Sequence, residues 1–403
     1  MNYANLTFAH GNGPYSRCVE WAIAVNDVRQ ERGLSRLPVV VPLVYPKEDR
    51  QKRIMKEEVE SNVSPDWFDK HSDEIWLDKK QGELLGQLMF KGKDYGDNLR
   101  MLVRDYQEVE DETQKHLNGK RKLENFVSDE SEQFDLRDCK FQLGLNNRIQ
   151  TGLPNQFYTA GGAGPFDEVL RRAIADDKIE LDKESMRTAI PIAKRMIKGQ
   201  KIIFSNEPGV FSYDANRVLR DNEQLTPPFV HSPKPNDKEL PERGVYFLAS
   251  GIDGVRESEI YNAVADLRMR VYTTEFSLNA LPEEIREQAK EHLLKPSEIN
   301  NPKIVAQFAR SGWSEVWLSH LAEKGFITPP YQQSDDPEIL FNNRGIEKLR
   351  LGVVLREDSR KALERSVELA SKVGDYNKGL IDRFRTLDGI RYAAERVVDC
   401  IPN

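Results

Sequence analysis

A chain of 403 residues with 59 Lys and Arg against 66 Asp and Glu carries a formal net charge of −7. At 38% hydrophobic and 31% charged residues it is composed like a water-facing globular protein of two or three domains, and its acidity leaves no electrostatic footprint for nucleic acid. No window approaches the roughly 20 apolar residues that span a bilayer, and the start lacks a signal-peptide pattern. The three cysteines, Cys18, Cys139 and Cys400, have no metal-ligand spacing. A cytoplasmic protein with reduced thiols and no transmembrane segment is therefore expected, one that could still associate with a membrane peripherally.

In chain order, NLTFAHG reads as a strand, NGPYS as a turn, and RCVEWAIAVNDVRQERG as an amphipathic helix closed by Gly33. LPVVVPLVY follows as a strand apolar on both faces. Such a βαβ unit implies parallel strands. Residues 47–135, rich in Lys, Asp, Glu and Gln, predict a mainly helical insertion over the sheet. FYTAGGAGPFDEVLRRAIADD then gives a strand end, a glycine loop and a helix; ESMRTAIPIAKRMIKG a helix; QKIIFS a strand; and NEPGVFSYDAN a loop. A proline-rich stretch marks a linker at 229–243.

Beyond it the grammar restarts, with VYFLAS, GIDGVRES, EIYNAVADL and MRVYTTEF as strand, loop, helix and strand. KIVAQFARSGWSEVWLSHLAEKG, the strand FITPP, an acidic loop, the helix EILFNNRGIEKL and the strand GVVL follow, before a helical tail. The pattern predicts an α/β protein of two Rossmann-like domains facing a central cleft. They occupy 1–228 and 244–378, and a C-terminal helix in 379–403 packs back on the first.

Ligands of parallel α/β sheets bind beyond the carboxyl ends of the strands. That rule points to the loops His10–Ser16, Gly161–Asp167, Asn206–Ser212 and Ser250–Gly254, and to RSGWSE. Ser250 and Gly251 can offer a hydroxyl and close backbone approach to a phosphate, or simply turn the chain. His10 suits a general base, because an imidazole titrates near neutrality, or caps its turn. Gly11 and Gly13 would let an acceptor approach the backbone. Asp167 and Glu207 can bind acceptor hydroxyls, or serve as acids favoured by a helix dipole.

The segment RSGWSEVWLSHLAEKG, with the proline pair, the acidic loop, Asn342 and EKLRLGVVL after it, resembles the donor-binding half of GT-B glycosyltransferases. It looks most like the peptidoglycan N-acetylglucosaminyltransferase and small-molecule UDP-glycosyltransferase groups. FAHGNGPYSR is similar to the first loop of that family, and ASGIDG lies where its diphosphate loop does. Residues 47–200 stay largely outside the likeness.

The resemblance implies transfer of a hexosyl or N-acetylhexosaminyl group from a nucleotide-sugar donor, UDP-linked, to an acceptor hydroxyl, with inversion and with neither metal nor cofactor. It implies His10 as the base, and Ser250, Gly251, Arg310, Gly312, Trp313 and Ser314 around the nucleotide diphosphate. Asp336, Glu338 and Asn342 would hold the sugar, and Gly11, Gly13, Asp167 and Glu207 the acceptor. The pattern breaks at Leu318, where the family has a ribose-binding glutamate; Glu315 lies three residues earlier. A sugar-nucleotide 2-epimerase and a catalytically inactive partner subunit are the alternatives with the same fold.

Overall fold

The computed structural model describes residues 1–403 apart from 9–11, 45–47, 89–93, 129, 249–251, 253–258, 357 and 402–403. The first half runs β1 (Tyr3–Phe8), α1 (Asn12–Glu31), β2 (Val39–Pro42), α2 (Glu48–Asn62), α3 (Trp67–Lys70), β3 (Ile75–Asp78), α4 (Lys79–Gln87) and α5 (Tyr95–Leu117). It continues through β4 (Lys120–Asn125), β5 (Ser131–Asp135), β6 (Cys139–Leu145), β7 (Gln156–Thr159), α6 (Phe166–Ala175), α7 (Lys183–Met196), β8 (Ile202–Asn206) and β9 (Glu223–Thr226). These nine strands form one sheet in the order β5-β4-β3-β2-β1-β6-β7-β8-β9. Only the pairings β3–β4 and β4–β5 are antiparallel.

The second half runs β10 (Gly244–Leu248), α8 (Ile260–Asp266), β11 (Arg270–Thr273), α9 (Glu275–Leu278), α10 (Glu283–Ala289), β12 (Ile304–Ala309), α11 (Trp313–Leu321) and β13 (Gly325–Thr328). α12 (Pro337–Lys348), β14 (Val353–Val354), α13 (Ser359–Phe384) and α14 (Gly389–Cys400) complete it. Its five strands are all parallel, in the order β11-β10-β12-β13-β14. Strands covered by helices on both faces must be apolar on both. Tyr3, Leu6 and Phe8 of β1, Val39, Val40 and Val41 of β2, and Val245, Tyr246 and Phe247 of β10 are accordingly all but inaccessible to solvent.

Several polar side chains at the carboxyl ends of the larger sheet pair with one another. Thr7 Oγ1 donates to Asn147 Oδ1 at 2.9 Å, Thr159 Oγ1 to Asn206 Oδ1 at 2.8 Å, and Asn206 Nδ2 to Thr226 Oγ1 at 2.6 Å. Fully paired buried networks of this kind rigidify what they join. Here one bond ties the carboxyl end of β1 to the loop after β6, and the other two tie those of β7, β8 and β9 together.

One expectation changes. The segment 47–135 is mostly helical, yet it also supplies β3, a parallel strand of the main sheet, and the hairpin β4–β5 that extends its edge. The stretch 229–243 runs between the two sheets but is not loose, for Phe229, Val230 and Leu240 are buried. At the end of the chain, α14 lies on α1. Arg32 pairs with Asp399 at 2.6 Å there, and Arg391 Nη1 donates to Glu31 Oε1 at 2.8 Å. Such exposed pairs contribute little; the buried Ile390, Ala393, Ala394 and Val397 hold the helix down. Cys18 and Cys139 are buried, Cys400 is exposed, and all three are free thiols. Among the described residues no helix is long and apolar enough to cross a membrane.

Candidate active site in the interdomain cleft

The carboxyl ends of both sheets border a cleft of about 430 Å³. On the C-terminal side it is walled by Arg310, which follows β12, by Gly312, Trp313, Ser314 and Glu315 at the start of α11, and by Asp336 and Glu338 at the start of α12. On the N-terminal side stand Gly13 and Arg17 of α1, Tyr95 of α5, Asn146 and Arg148 after β6, and Tyr158 of β7. Gly161, Gly164 and Phe166 complete that wall.

α11 opens on Gly312, whose extended backbone (φ −67°, ψ 140°) caps the helix. A Cβ added to Gly312 would meet nothing within 4 Å, so the helix end is uncovered. First-turn amides have no intrahelical acceptor, and with the helix dipole behind them they favour an anion. Arg310 stands beside this end, paired with Asp335 at 2.7 Å, while its buried Nε has no hydrogen-bond partner among the described residues. α1 of the other domain begins directly opposite: a Cβ on Gly13 would lie 3.6 Å from Ser314 Oγ. One turn on, Arg17 reaches Glu20 and, at 3.6 Å, Glu58.

Two carboxyls in the wall are held near neutrality. Burial pushes Glu315 up to about 7, opposed by the hydrogen bond from Gln307 Nε2 (3.1 Å) and by Arg17. Burial and then the charge of Asp336 push Glu338 up to about 7 as well, against Arg148 and Arg310. A carboxyl raised by folding gives stability that is complete below its ordinary value and is lost progressively until the pH passes its folded value. Both side chains are half-buried, so solvent screening limits this to about 1 kcal/mol each. The stability of the wild type relative to Glu338→Gln is therefore expected to fall by about 1 kcal/mol between pH 5 and 7.5. Urea denaturation across that range checks it, and a difference that does not vary with pH contradicts it.

Gly13, Arg310, Gly312, Trp313, Ser314, Asp336 and Glu338 are thus brought to one cleft. Asn342 is not: fully buried, it accepts from Trp313 Nε1 and donates to Ser311 O, both at 2.7 Å, and so orients the tryptophan. Trp313 itself is only 4% exposed and packs with Trp317 against the loop at Gly162. A Cβ on Gly162, at φ +89°, would fall 2.6 Å from Trp313 Cγ and 2.7 Å from Trp317 Cζ2. Only glycine admits that contact.

Two acids expected at the acceptor lie off this cleft. Asp167 is 1% exposed and is engaged by Arg171 at 2.8 Å and by Arg220, off the cleft wall. Glu207 lines a separate cavity of about 190 Å³ and pairs with Arg383. Leu318 is buried and borders Arg17 and His231, so the carboxylate that α11 gives the cleft is Glu315. His10, Gly11, Ser250 and Gly251 lie outside the described residues. The sequence reading passed over Arg17, Tyr95, Asn146, Arg148 and Tyr158. Recognising CKFQLGL as a strand would have marked Asn146 and Arg148 as strand-end residues. Among the described residues, no three His, Cys, Asp or Glu side chains are grouped to hold a metal.

No family model and no curated protein matches the sequence. Solved structures do match its fold. A UDP-glucosyltransferase from Polygonum tinctorium capable of glucosylating indoxyl superposes with a TM-score of 0.58 at 13% identity, covering 98% of this chain and 97% of that one. The glycotransferase of kitacinnamycin gives 0.56 at 10% identity, with 100% and 99% covered. Arabidopsis thaliana UGT89C1, complexed with UDP, gives 0.57 at 12% identity, with 99% of both chains covered. The full-length superposition, the two parallel-cored sheets and the cleft between them show a GT-B fold, two Rossmann-like domains facing a central cleft.

Proposed function

We propose that the chain moves a hexosyl or N-acetylhexosaminyl group from a UDP-linked donor to an acceptor hydroxyl. The observation that carries this is the convergence in one cleft of an uncovered helix end, Arg310 and the paired acids Asp336 and Glu338. A departing diphosphate needs preorganised donors, and sugar hydroxyls need acceptors such as carboxylate oxygens. The diphosphate lies against the α11 amides, Ser314 and Arg310, with Ser250 and Gly251 contributing. Asp336 and Glu338 accept from the sugar, and Glu315 accepts from the ribose in place of a side chain at Leu318.

His10 takes the acceptor's hydroxyl proton as its oxygen bonds to the anomeric carbon. The bond from that carbon to the phosphate oxygen breaks, its electron pair leaving on UDP, and attack from the opposite face inverts the centre. The amides and Arg310 offset the charge that develops, so the step calls on no metal. Calorimetric titration with UDP, GDP and dTDP tests the donor site. Saturable UDP binding is expected; binding of none of the three overturns the proposal and favours an inactive partner subunit.

A second reading, epimerisation at carbon 2 of the donor, draws on Glu315 and Glu338, whose near-neutral carboxyls suit acid–base work. Incubation with UDP-N-acetylglucosamine and no acceptor separates the two. Epimerised donor supports the second reading, and slow release of UDP supports transfer.

A further inference from the structure

The acids assigned to the sugar stand on the C-terminal domain, but the N-terminal domain holds the loop that carries them; the inference drawn from this rests on the transfer reading above. Asp335 and Asp336 end the loop between β13 and α12. Asp335 N donates to Gln332 O and Gln332 N to Asp335 Oδ2, both at 2.9 Å, while Asp335 Oδ1 pairs with Arg310 at 2.7 Å. The turn thus ties the loop to Arg310, and Asp336 follows it directly as the N-cap of α12.

Gln333, inside that turn, reaches across to the N-terminal domain. Its Oε1 accepts from Glu180 N at 3.1 Å and its Nε2 donates to Lys178 O at 2.9 Å. A carboxamide that meets a donor and an acceptor of one backbone stretch fixes distance and direction together. The stretch it grips is firm. Ile179, between the two contacts, is fully buried, and Lys178 N donates to Asp176 Oδ1 at 3.0 Å. Asp176 also takes the guanidinium of Arg344 on α12, Nη1 pairing with Oδ2 and Nη2 donating to Oδ1 at 3.1 Å. The segment that joins α6 to α7 therefore grips the chain at 333 and at 344, on either side of Asp336 and Glu338.

Hydrogen bonds and ion pairs this near solvent add little to stability. Their effect is on position, and a displacement of about 1 Å is enough to spoil a set of contacts to a ligand. None of Gln333, Arg344 and Asp176 lines the cleft, so each acts through the acids. The start of α11, against which the diphosphate is placed, has a seat of its own, where Trp317 Nε1 donates to Pro208 O at 2.7 Å.

We propose that Gln333 and the Arg344–Asp176 pair are positioning residues for the donor's sugar: through them residues 176–180 of the N-terminal domain set Asp336 and Glu338 in place, and sugar recognition depends on this contact while nucleotide binding does not. Calorimetry on the full chain with UDP, UDP-glucose and UDP-N-acetylglucosamine tests it in the wild type, Gln333→Met and Asp176→Asn. Methionine keeps the length of the side chain and removes both hydrogen bonds. Each variant is expected to bind the UDP-sugar that the wild type prefers roughly tenfold more weakly, with UDP affinity held within about threefold. The urea midpoint should not move.

Equal weakening of UDP and UDP-sugar overturns the proposal, because a merely structural role would act on both. So does unchanged binding of the UDP-sugar, or a wild type that binds UDP but neither UDP-sugar. If Gln333→Met lowers the urea midpoint, Asp176→Asn decides from the opposite domain. Failure of the underlying transfer reading is distinct, since it shows as absence of UDP binding by the wild type.

Discussion

Replacing His10 with alanine is expected to slow sugar transfer roughly 10²- to 10⁴-fold, the usual contribution of a positioned general base, while UDP still binds. His10 falls in the sequence between β1, the strand at the middle of the larger sheet, and α1, whose Gly13 and Pro14 line the cleft facing Ser314. Among the described residues lining the cleft there is no histidine, and every carboxyl belongs to the C-terminal half. The proposed base, His10, belongs to the segment between β1 and α1, and Glu315 and Glu338 of the C-terminal half are the alternatives. Initial rates at saturating donor, with calorimetry for UDP, read the two effects separately. Normal transfer by His10→Ala contradicts the assignment and moves the base to Glu315 or Glu338.

Trp317→Ala should destabilise the protein by about 3–5 kcal/mol, as expected when a fully buried tryptophan is truncated. Trp317 is 1% exposed on α11 of the C-terminal domain, yet its Nε1 donates to Pro208 O of the N-terminal domain at 2.7 Å. Its ring and that of Trp313 fill the space that Gly162 leaves open. Truncation therefore opens a cavity and strands a carbonyl at the contact that sets the two cleft walls against each other. Trp317→Phe keeps much of the volume and loses only the hydrogen bond, so about 1–2 kcal/mol is expected for it. Chemical denaturation measures both; a loss below 1 kcal/mol for the alanine variant would show that the domains seat without this contact.

Legibility in the sequence followed the strength of local patterning. The βα units around β1, β10 and β12 stood out because long apolar strands meet glycine-bearing turns and amphipathic helices, and the cleft residues Gly312, Ser314, Asp336 and Glu338 came with them. β4 and β5 did not stand out, because KRKLEN and SEQFD form a hairpin at the sheet margin whose side chains are largely solvated. β6 was hidden for another reason: its Gln142 is polar but fully buried, bonded to Thr151, so alternation misreports the burial. With β6 unseen, Asn146 and Arg148 had no strand end to belong to. Glu207 follows β8 and Asp167 lies in the first turn of α6, and both are engaged by partners distant in sequence, Arg383 and Arg220. No spacing within one segment can reveal such a partner.

A crystal structure of the protein grown with UDP tests the donor site most directly. The diphosphate is expected against the start of α11, in contact with the amides of Trp313 and Ser314 and with Arg310, and the ribose hydroxyls within reach of Glu315. UDP bound away from Gly312–Ser314, or a cleft left without nucleotide at saturating UDP, would contradict the proposed function.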